Sequence, residues 1–420
     1  GFRYGAMTAI EDEVSWRATD ALGRDQQIMD AGRDFSVLRL LYEHKDENRL
    51  GLGYLGTQVT GPRYKASVQG LDLHYGLGSG LFGVDMQLVQ SDRAGETGRG
   101  GILDVRYAAS SAIQHKFEFE YFDSKVNVND LGFLRRNNYR GGQYLLSYAY
   151  PKPGRWFQAA RGTLIFRHQE NLTAGQVVDQ GVFWRNTLVL KGRNTIRSAI
   201  AYLPSRYEDR NSRGNGAYKT SDRIWLNALW ATDASRSLSF STSIGGLQED
   251  LGDWTLSLTA GVTARLSDSL YFDLDFAYKR RTGWVVYQGG REFGAFDAID
   301  LQPSFDLNWF LAADHQIKFS FQWAGVKAYE RQAYRIPSVD GALQRRAGTA
   351  GPRDFTVSLL TTQVRYRWEI APLTDFYVVY NRGNQLPPTE ADAFGDLLSD
   401  AFQDPVVSSL VVKLRYRFGG

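Results

Sequence analysis

No cysteine occurs in the 420 residues, which removes disulfide scaffolds and thiolate metal sites from consideration. No run of about 18 apolar residues exists, so transmembrane helices are excluded. Amphipathic stretches of helical period are almost missing as well. Net charge is slight, because 49 Lys+Arg stand against 46 Asp+Glu for a formal +3. Both signs are interspersed along the chain, a poor footprint for a nucleic-acid binder, and none is expected as a partner. No Pro/Ser-rich linker or change of composition divides the chain, so 1–420 reads as one domain.

What the chain does have is glycine, aromatics and alternation: 43 Gly, 10 Trp, 23 Tyr and 24 Phe. In Leu410-Val-Val-Lys-Leu-Arg-Tyr-Arg-Phe418 the residues Leu410, Val412, Leu414, Tyr416 and Phe418 alternate with Val411, Lys413, Arg415 and Arg417. One face of a strand is therefore apolar and aromatic and the other mostly cationic. A terminal strand ending in Tyr-x-Phe near the C-terminus is common among closing strands of outer-membrane barrels. Such segments recur about every 20 residues. They fall at 2–16, 34–44, 50–60, 66–75, 81–91, 100–109, 113–127, 139–150, 156–169, 178–190, 195–206, 221–232, 237–247, 254–265, 269–282, 298–311, 315–328, 354–370, 374–382 and 405–418. Short connections (76–80, 151–154, 191–194, 267–269) tend to alternate with long ones (17–33, 128–138, 207–220, 283–297, 329–353, 383–404). Twenty strands, short periplasmic turns and long extracellular loops describe a transmembrane up-and-down antiparallel β-barrel, all-β in class. Gly1-Phe-Arg-Tyr4 already reads as strand, so no signal peptide opens the chain and the numbering is expected to start on a processed or truncated product.

Faces follow from parity. Phe117, Phe119 and Tyr121 oppose Glu118 and Glu120; Leu270, Phe272, Leu274 and Phe276 oppose Asp273 and Asp275; Val364, Tyr366 and Trp368 oppose Arg365 and Arg367. With Lys413, Arg415 and Arg417 these charged residues are expected to line a pore. A one-residue slip of the last strand would turn its cations toward lipid at roughly 2–4 kcal/mol each at the midplane, so register is well determined. Tryptophans add an independent sign, since amphipathic aromatics collect at membrane interfaces. Trp156, Trp230, Trp309 and Trp368 fall near short-turn ends, Trp16, Trp254 and Trp284 near long-loop ends, and Tyr416 and Phe418 complete the expected lipid-facing girdle. A soluble propeller, sandwich or β-helix is the alternative, but no blade-length repeat is present.

Two segments, Asn129-Asp-Leu-Gly-Phe-Leu-Arg-Arg-Asn-Asn138 and Asp34-Phe-Ser-Val-Leu-Arg-Leu40, resemble parts of a functionally uncharacterised outer-membrane barrel family in which a carbohydrate-binding family 9-like domain precedes the barrel. The resemblance implies the fold and an outer-membrane location in a Gram-negative bacterium, and glycan-related biology if that domain accompanies it. It carries no catalytic residues over to this chain.

Chemistry-bearing residues are scattered. His44, His74, His115, His168 and His315 lie on different strands or turns without metal-ligand spacing, so no metal, cofactor or catalytic residue is expected and the chain does not read as an enzyme; a rim hydrolase acting on lipid or glycan is the remote alternative. Alternate carboxylates such as Glu118 and Glu120 are more simply lumen lining than an acid pair. Thr389-Glu-Ala-Asp392 resembles a capping box opening a short helix with Ala391, Phe394, Leu398 and Phe402 on one face and Asp392, Asp396 and Asp400 on another. That acidic stripe reads as a solvated helix face ahead of a cation site. The preceding long loop is basic, with Arg331, Arg335, Arg345, Arg346 and Arg353, and can meet lipopolysaccharide phosphates, the acidic loop or water. Barrels of this strand number enclose wide lumens. The function expected is a wide polar-lined pore for small polar solutes, with the bilayer and lipopolysaccharide as partners; the alternative is an anchor or scaffold holding a periplasmic or surface protein.

Overall fold

The computed structural model describes residues 1–19, 25–150, 152–346, 353–386, 393–403 and 405–416. In chain order the strands are β1 (Phe2–Ile10), β2 (Val14–Thr19), β3 (Asp25–Asp30), β4 (Asp34–Lys45), β5 (Asn48–Thr60), β6 (Lys65–Leu77), β7 (Phe82–Arg93), β8 (Glu96–Ala108), β9 (Ile113–Phe122), β10 (Tyr139–Tyr150), β11 (Phe157–Asn171), β12 (Val177–Leu190) and β13 (Thr195–Leu203). They continue as β14 (Tyr207–Glu208), β15 (Tyr218–Lys219), β16 (Arg223–Ala231), β17 (Leu238–Gln248), β18 (Trp254–Ser267), β19 (Leu270–Gly289), β20 (Glu292–Ala312), β21 (His315–Arg335), β22 (Gln344–Arg345), β23 (Phe355–Ala371), β24 (Thr374–Leu386), the helix α1 (Phe394–Gln403) and β25 (Val407–Arg415). Setting aside the short or hairpin-only β2, β3, β14, β15 and β22 leaves twenty among the described residues, the number expected from alternation. The fold is all-β with antiparallel, up-and-down neighbours.

The chain forms two compact units. The first comprises Gly1–Ala149 and Thr163–Val182, the second Tyr150–Gly162 and Phe183–Gly420. In the first, β1 pairs with β4 and the meander runs β4 to β10 without a crossover. Its tightest turn, Ala94-Gly95, has positive φ at both residues (55° and 86°), as a two-residue hairpin following the strand twist requires. In the second unit the meander runs β13, β16 to β21, then β23 to β25, with β22 adding two residues beside β21.

Register turns the sequence alternation into rows that cross the strands. In the first unit Leu52, Leu73, Met86, Leu103 and Phe119 succeed one another on the apolar face. In the second, Phe272, Leu307, Phe319, Val364, Tyr380 and Leu410 do the same. These apolar side chains are not buried by the fold: Phe119 is 51% exposed and Leu410 66%.

Several expected loops are in fact ordered strand. The interval 283–297 is mostly strand, because Val285, Val286 and Tyr287 pair with Phe293 to Ala295, Gly289 pairs with Glu292, and the turn is Gly290-Arg291, eased by φ of 117° at Gly289 and 53° at Gly290. β21 likewise runs on to Arg335, which puts Arg331 and Arg335 on a strand. The interval 17–33 carries the hairpin β2–β3 and 207–220 the hairpin β14–β15. Two-residue glycine turns let an apolar β-hairpin grow where sequence length alone suggests a loop.

Candidate functional site

The polar face of the first unit is a ladder of alternating charge. Arg39 on β4 reaches Asp72 on β6 with two hydrogen bonds, 2.6 and 2.9 Å, passing over Gly53, where a Cβ would lie 2.1 Å from Asp72 Oδ2. His74 stands between two carboxylates, its Nδ1 2.7 Å from Asp85 and its Nε2 3.5 Å from Asp72. Arg106 pairs with Asp85, and Lys116 bridges Asp104 at 3.1 Å and Glu118. Glu118 also accepts the Gln143 amide, while Glu120 accepts the Tyr139 hydroxyl at 2.7 Å. Arg167 continues the series to Asp179 at 3.2 Å. Each bridging residue sits on the same face by register, so the network follows from period-two placement plus glycines that let long side chains cross a strand.

Two cavities open on this face. One of about 710 Å³ lies at the short-turn end, floored by Gly51, Gly76 and Gly83 and rimmed by His44, Lys45, Arg49, His74 and Arg106. The other, about 310 Å³, lies between Glu118, Glu120, Arg135, Gln143, Arg167 and Gln169.

The second unit also pairs opposite charges, as in Arg281 with Asp300 at 2.9 Å, but groups like charges along part of its polar face. Asp273 and Asp306 are direct cross-strand partners, with Asp275 two residues along β19; Thr263 donates to Asp273 at 2.5 Å. Next come neutral amides: Gln363 donates to Asn381 at 2.7 Å and Asn381 to Ser409 at 3.4 Å. Cations follow, with Lys318 opposite Arg365, and Tyr377 between Arg367 and Lys413. Arg367 bonds Asp375 at 2.7 Å and Glu369 at 2.9 Å, and Arg415 lies 3.9 Å from Asp375. Arg417 and Phe418 lie outside the described residues.

The expected girdle residues Trp156, Trp230, Trp309, Trp368 and Tyr416 all have exposed side chains. Arg155 stacks on Trp156 with its guanidinium carbon 5.1 Å from the ring centre. The expected loop residues behave differently from one another. Arg335 and Arg346 both meet Glu292, at 3.5 and 3.0 Å; Arg331 lies 3.5 Å from Asp253 and from Asp297; Arg353 clasps Glu330. Those arginines therefore pair with acids on β20, on β21 and in the β17–β18 turn, and the acidic helix supplies none of these partners. Arg345 is exposed on β22.

α1 begins at Phe394, so Asp392 and the expected capping box lie outside the described residues. Its buried residues are Leu397 and Ala401, with Phe394 and Leu398 beside them, against Trp323 and Leu360. Phe402, expected on that face, is 40% exposed; Leu397 and Ala401 were missed because the spacing was taken four at a time, and i, i+3 completes the stripe. Asp396 and Asp400 point to solvent. Ser358 fixes the helix by accepting Trp323 Nε1–H at 3.0 Å and donating to the Leu397 carbonyl at 2.9 Å.

Among the described residues no group of three or more His, Cys, Asp or Glu is arranged to hold a metal ion, and no helix is long and apolar enough to cross a membrane. The bridging position of His74 had no sequence signal beyond its parity, because its partners come from β6 and β7.

The class that this architecture defines is all-β, built of antiparallel up-and-down neighbours. The model of the domain of unknown function DUF5916 matches residues 57–418, and the chain belongs to that family. No curated protein matches it. Among solved structures it is similar to two crystal structures of variants of the ferric enterobactin receptor of Pseudomonas aeruginosa. One is 7% identical with a TM-score of 0.44, the other 8% with 0.43, and each alignment covers 90% of this chain and 74% of the other.

Proposed function

We propose that the protein is an outer-membrane β-barrel of a Gram-negative bacterium whose polar face lines a passage for small polar solutes, sugars among them. One observation carries the reading: cross-strand rows of large apolar side chains stand exposed or half-exposed on one face while, in the first unit, the opposite face is a hydrogen-bonded charge ladder. A water-soluble fold would bury the first face, and contiguous exposed apolar surface of this extent marks contact with lipid. The mixed signs of the polar face favour neutral or dipolar solutes over ions of one charge. Bilayer and lipopolysaccharide are the partners this implies, and a preceding carbohydrate-binding family 9-like domain belongs to the same reading.

Planar-bilayer recording of the purified protein tests it. Stable large conductance steps are expected. Their absence, together with copurification of a stoichiometric partner from native membranes, would instead make the barrel a scaffold.

A further inference from the structure

We propose that segment 123–138 is a fold-back loop that narrows the polar passage and forms, with β9 to β11, a binding site for small zwitterions of the amino-acid or dipeptide kind. The proposal rests on reading the polar face as the wall of a passage.

The segment lies on the polar face. Val126, 1% exposed, packs with Phe122, Tyr139, Val89, Ile102 and Leu134, and Phe122, Ile102 and Val89 share the parity of Glu118, Asp104 and Asp85. Two glycines make room for it: a Cβ on Gly98 would lie 2.1 Å from the Val126 nitrogen and one on Gly100 2.3 Å from the Phe122 ring. Polar pegs hold it to β7, β8 and the turn before β6. Asp123 accepts from the backbone of Arg99 at 2.7 Å and of Val126 at 2.8 Å. Ser91 accepts the Asn127 amide at 2.9 Å, and Asp130 accepts the Tyr64 hydroxyl at 2.5 Å and Arg93 Nε at 3.1 Å. Asn137 closes the segment on itself by donating to the Ser124 and Val126 carbonyls.

So held, the Leu131-Gly-Phe-Leu-Arg-Arg136 stretch presents Arg135 to the 310 Å³ cavity, opposite Glu118 and Glu120. That volume sits at the lower end of small-molecule pockets. Arg135, Arg167, Glu118 and Glu120 line the cavity with Gln143 and Gln169; Arg167 is held by Asp179, and Glu118 by Lys116 and the Gln143 amide, so Arg135 and Glu120 are the groups that meet a ligand. Arg135 makes no hydrogen bond or ion pair of its own among the described residues, so its fork is free for a carboxylate. Among the described residues Glu120 holds only the Tyr139 hydroxyl, leaving acceptor capacity for an ammonium group. No aromatic ring lines this cavity, so a sugar finds no stacking platform, whereas a molecule carrying both charges meets both signs.

Calorimetry on the detergent-purified protein, with glycylglycine and glucose as probes, tests the site without requiring a pore. Glycylglycine is expected to bind and glucose not to. Arg135→Ala and Glu120→Gln should each weaken glycylglycine binding at least tenfold, and Arg135→Lys, which keeps charge but loses the fork, should fall between. Equal binding in Arg135→Ala, or glucose binding as tightly as glycylglycine, would overturn the proposal. Bilayer recording separates the two readings. Arg135-dependent binding without conductance removes the passage and keeps the site, while conductance without Arg135-dependent binding removes the site and keeps the passage.

Discussion

A long connection in each unit folds back onto that unit's own strands, and the two choose faces of opposite chemistry. In the first, 123–138 covers the polar face; in the second, α1 covers the apolar face that carries Leu301, Phe321, Trp323 and Leu360. The devices are parallel. Glycines clear the ground in both: Gly98 and Gly100 under the loop, and Gly325 under the helix, where a Cβ would lie 2.4 Å from Trp323 and 3.1 Å from Phe394. The anchors differ. The loop relies on Asp123, Asn127 and Asp130, whose bonds to backbone and side chains suit a wall already rich in partners. α1 buries a stripe of Phe394, Leu397, Leu398 and Ala401, and its late carbonyls are met by Asn384, 3.3 Å from that of Ala401, and Arg382. A connection takes the face whose chemistry its anchors match, since backbone groups laid on an apolar face need a helix to satisfy them.

The contrast can be broken at either anchor. Leu397→Ala should have the largest effect, because truncating a fully buried leucine costs about 2–5 kcal/mol; α1 should become protease-sensitive and its amides exchange rapidly, with 123–138 unchanged. Gly98→Ala should act on the other side, where the added methyl and the Val126 backbone cannot share space. Overpacking of about 1–3 kcal/mol is expected to raise exchange across 123–138 while α1 keeps its protection. If either variant loosens both segments equally, the two connections are not independent and the comparison fails. Ser358→Ala sharpens the α1 side: it strands the Trp323 indole N–H, at about 1–3 kcal/mol for a buried unsatisfied donor. Ser358→Thr, which keeps the hydroxyl, should recover part of the loss in a urea titration.

Strand existence was readable because alternation is local: Phe117 to Tyr121 or Leu410 to Tyr416 declare their faces within a few residues. Strand ends were less so. The hairpin through Gly289-Gly290 was mistaken for a loop because Trp284 to Tyr287 form an apolar run without clear alternation, and the bulge between Arg281 and Trp284 shifts the parity there. The helix was legible in outline from Phe394 and Leu398, but Leu397 and Ala401 emerge only once the stripe has something to pack against. Least readable was what the connections cover. Asn129 to Asn138 reads as a polar loop, and nothing local says that Val126 will sit on Gly98 or that Arg135 will face Glu120, since those partners lie on other strands.

The smallest expected effect comes from a third connection, 204–222 in the second unit, which buries Tyr218 against Phe293 and Tyr334 and whose root is pinned by a carboxylate. Asp222 accepts the Tyr202 hydroxyl at 2.6 Å and the Ser205 amide at 2.7 Å, and these bonds, the hydroxyl first, hold its carboxyl below the ordinary range. A lowered value in the folded protein means that the pin contributes fully above the unfolded carboxylate pKa of about 3.9 and is lost as pH falls below that through the folded value. Exchange of the Ser205 amide, corrected for intrinsic pH dependence, should therefore rise as the pH falls below about 4. Asp222→Asn should abolish that pH dependence while leaving α1 and 123–138 protected. A carboxylate pin that proved as costly to lose as Leu397 would mean that anchoring chemistry, rather than the face beneath, decides how firmly a connection is held.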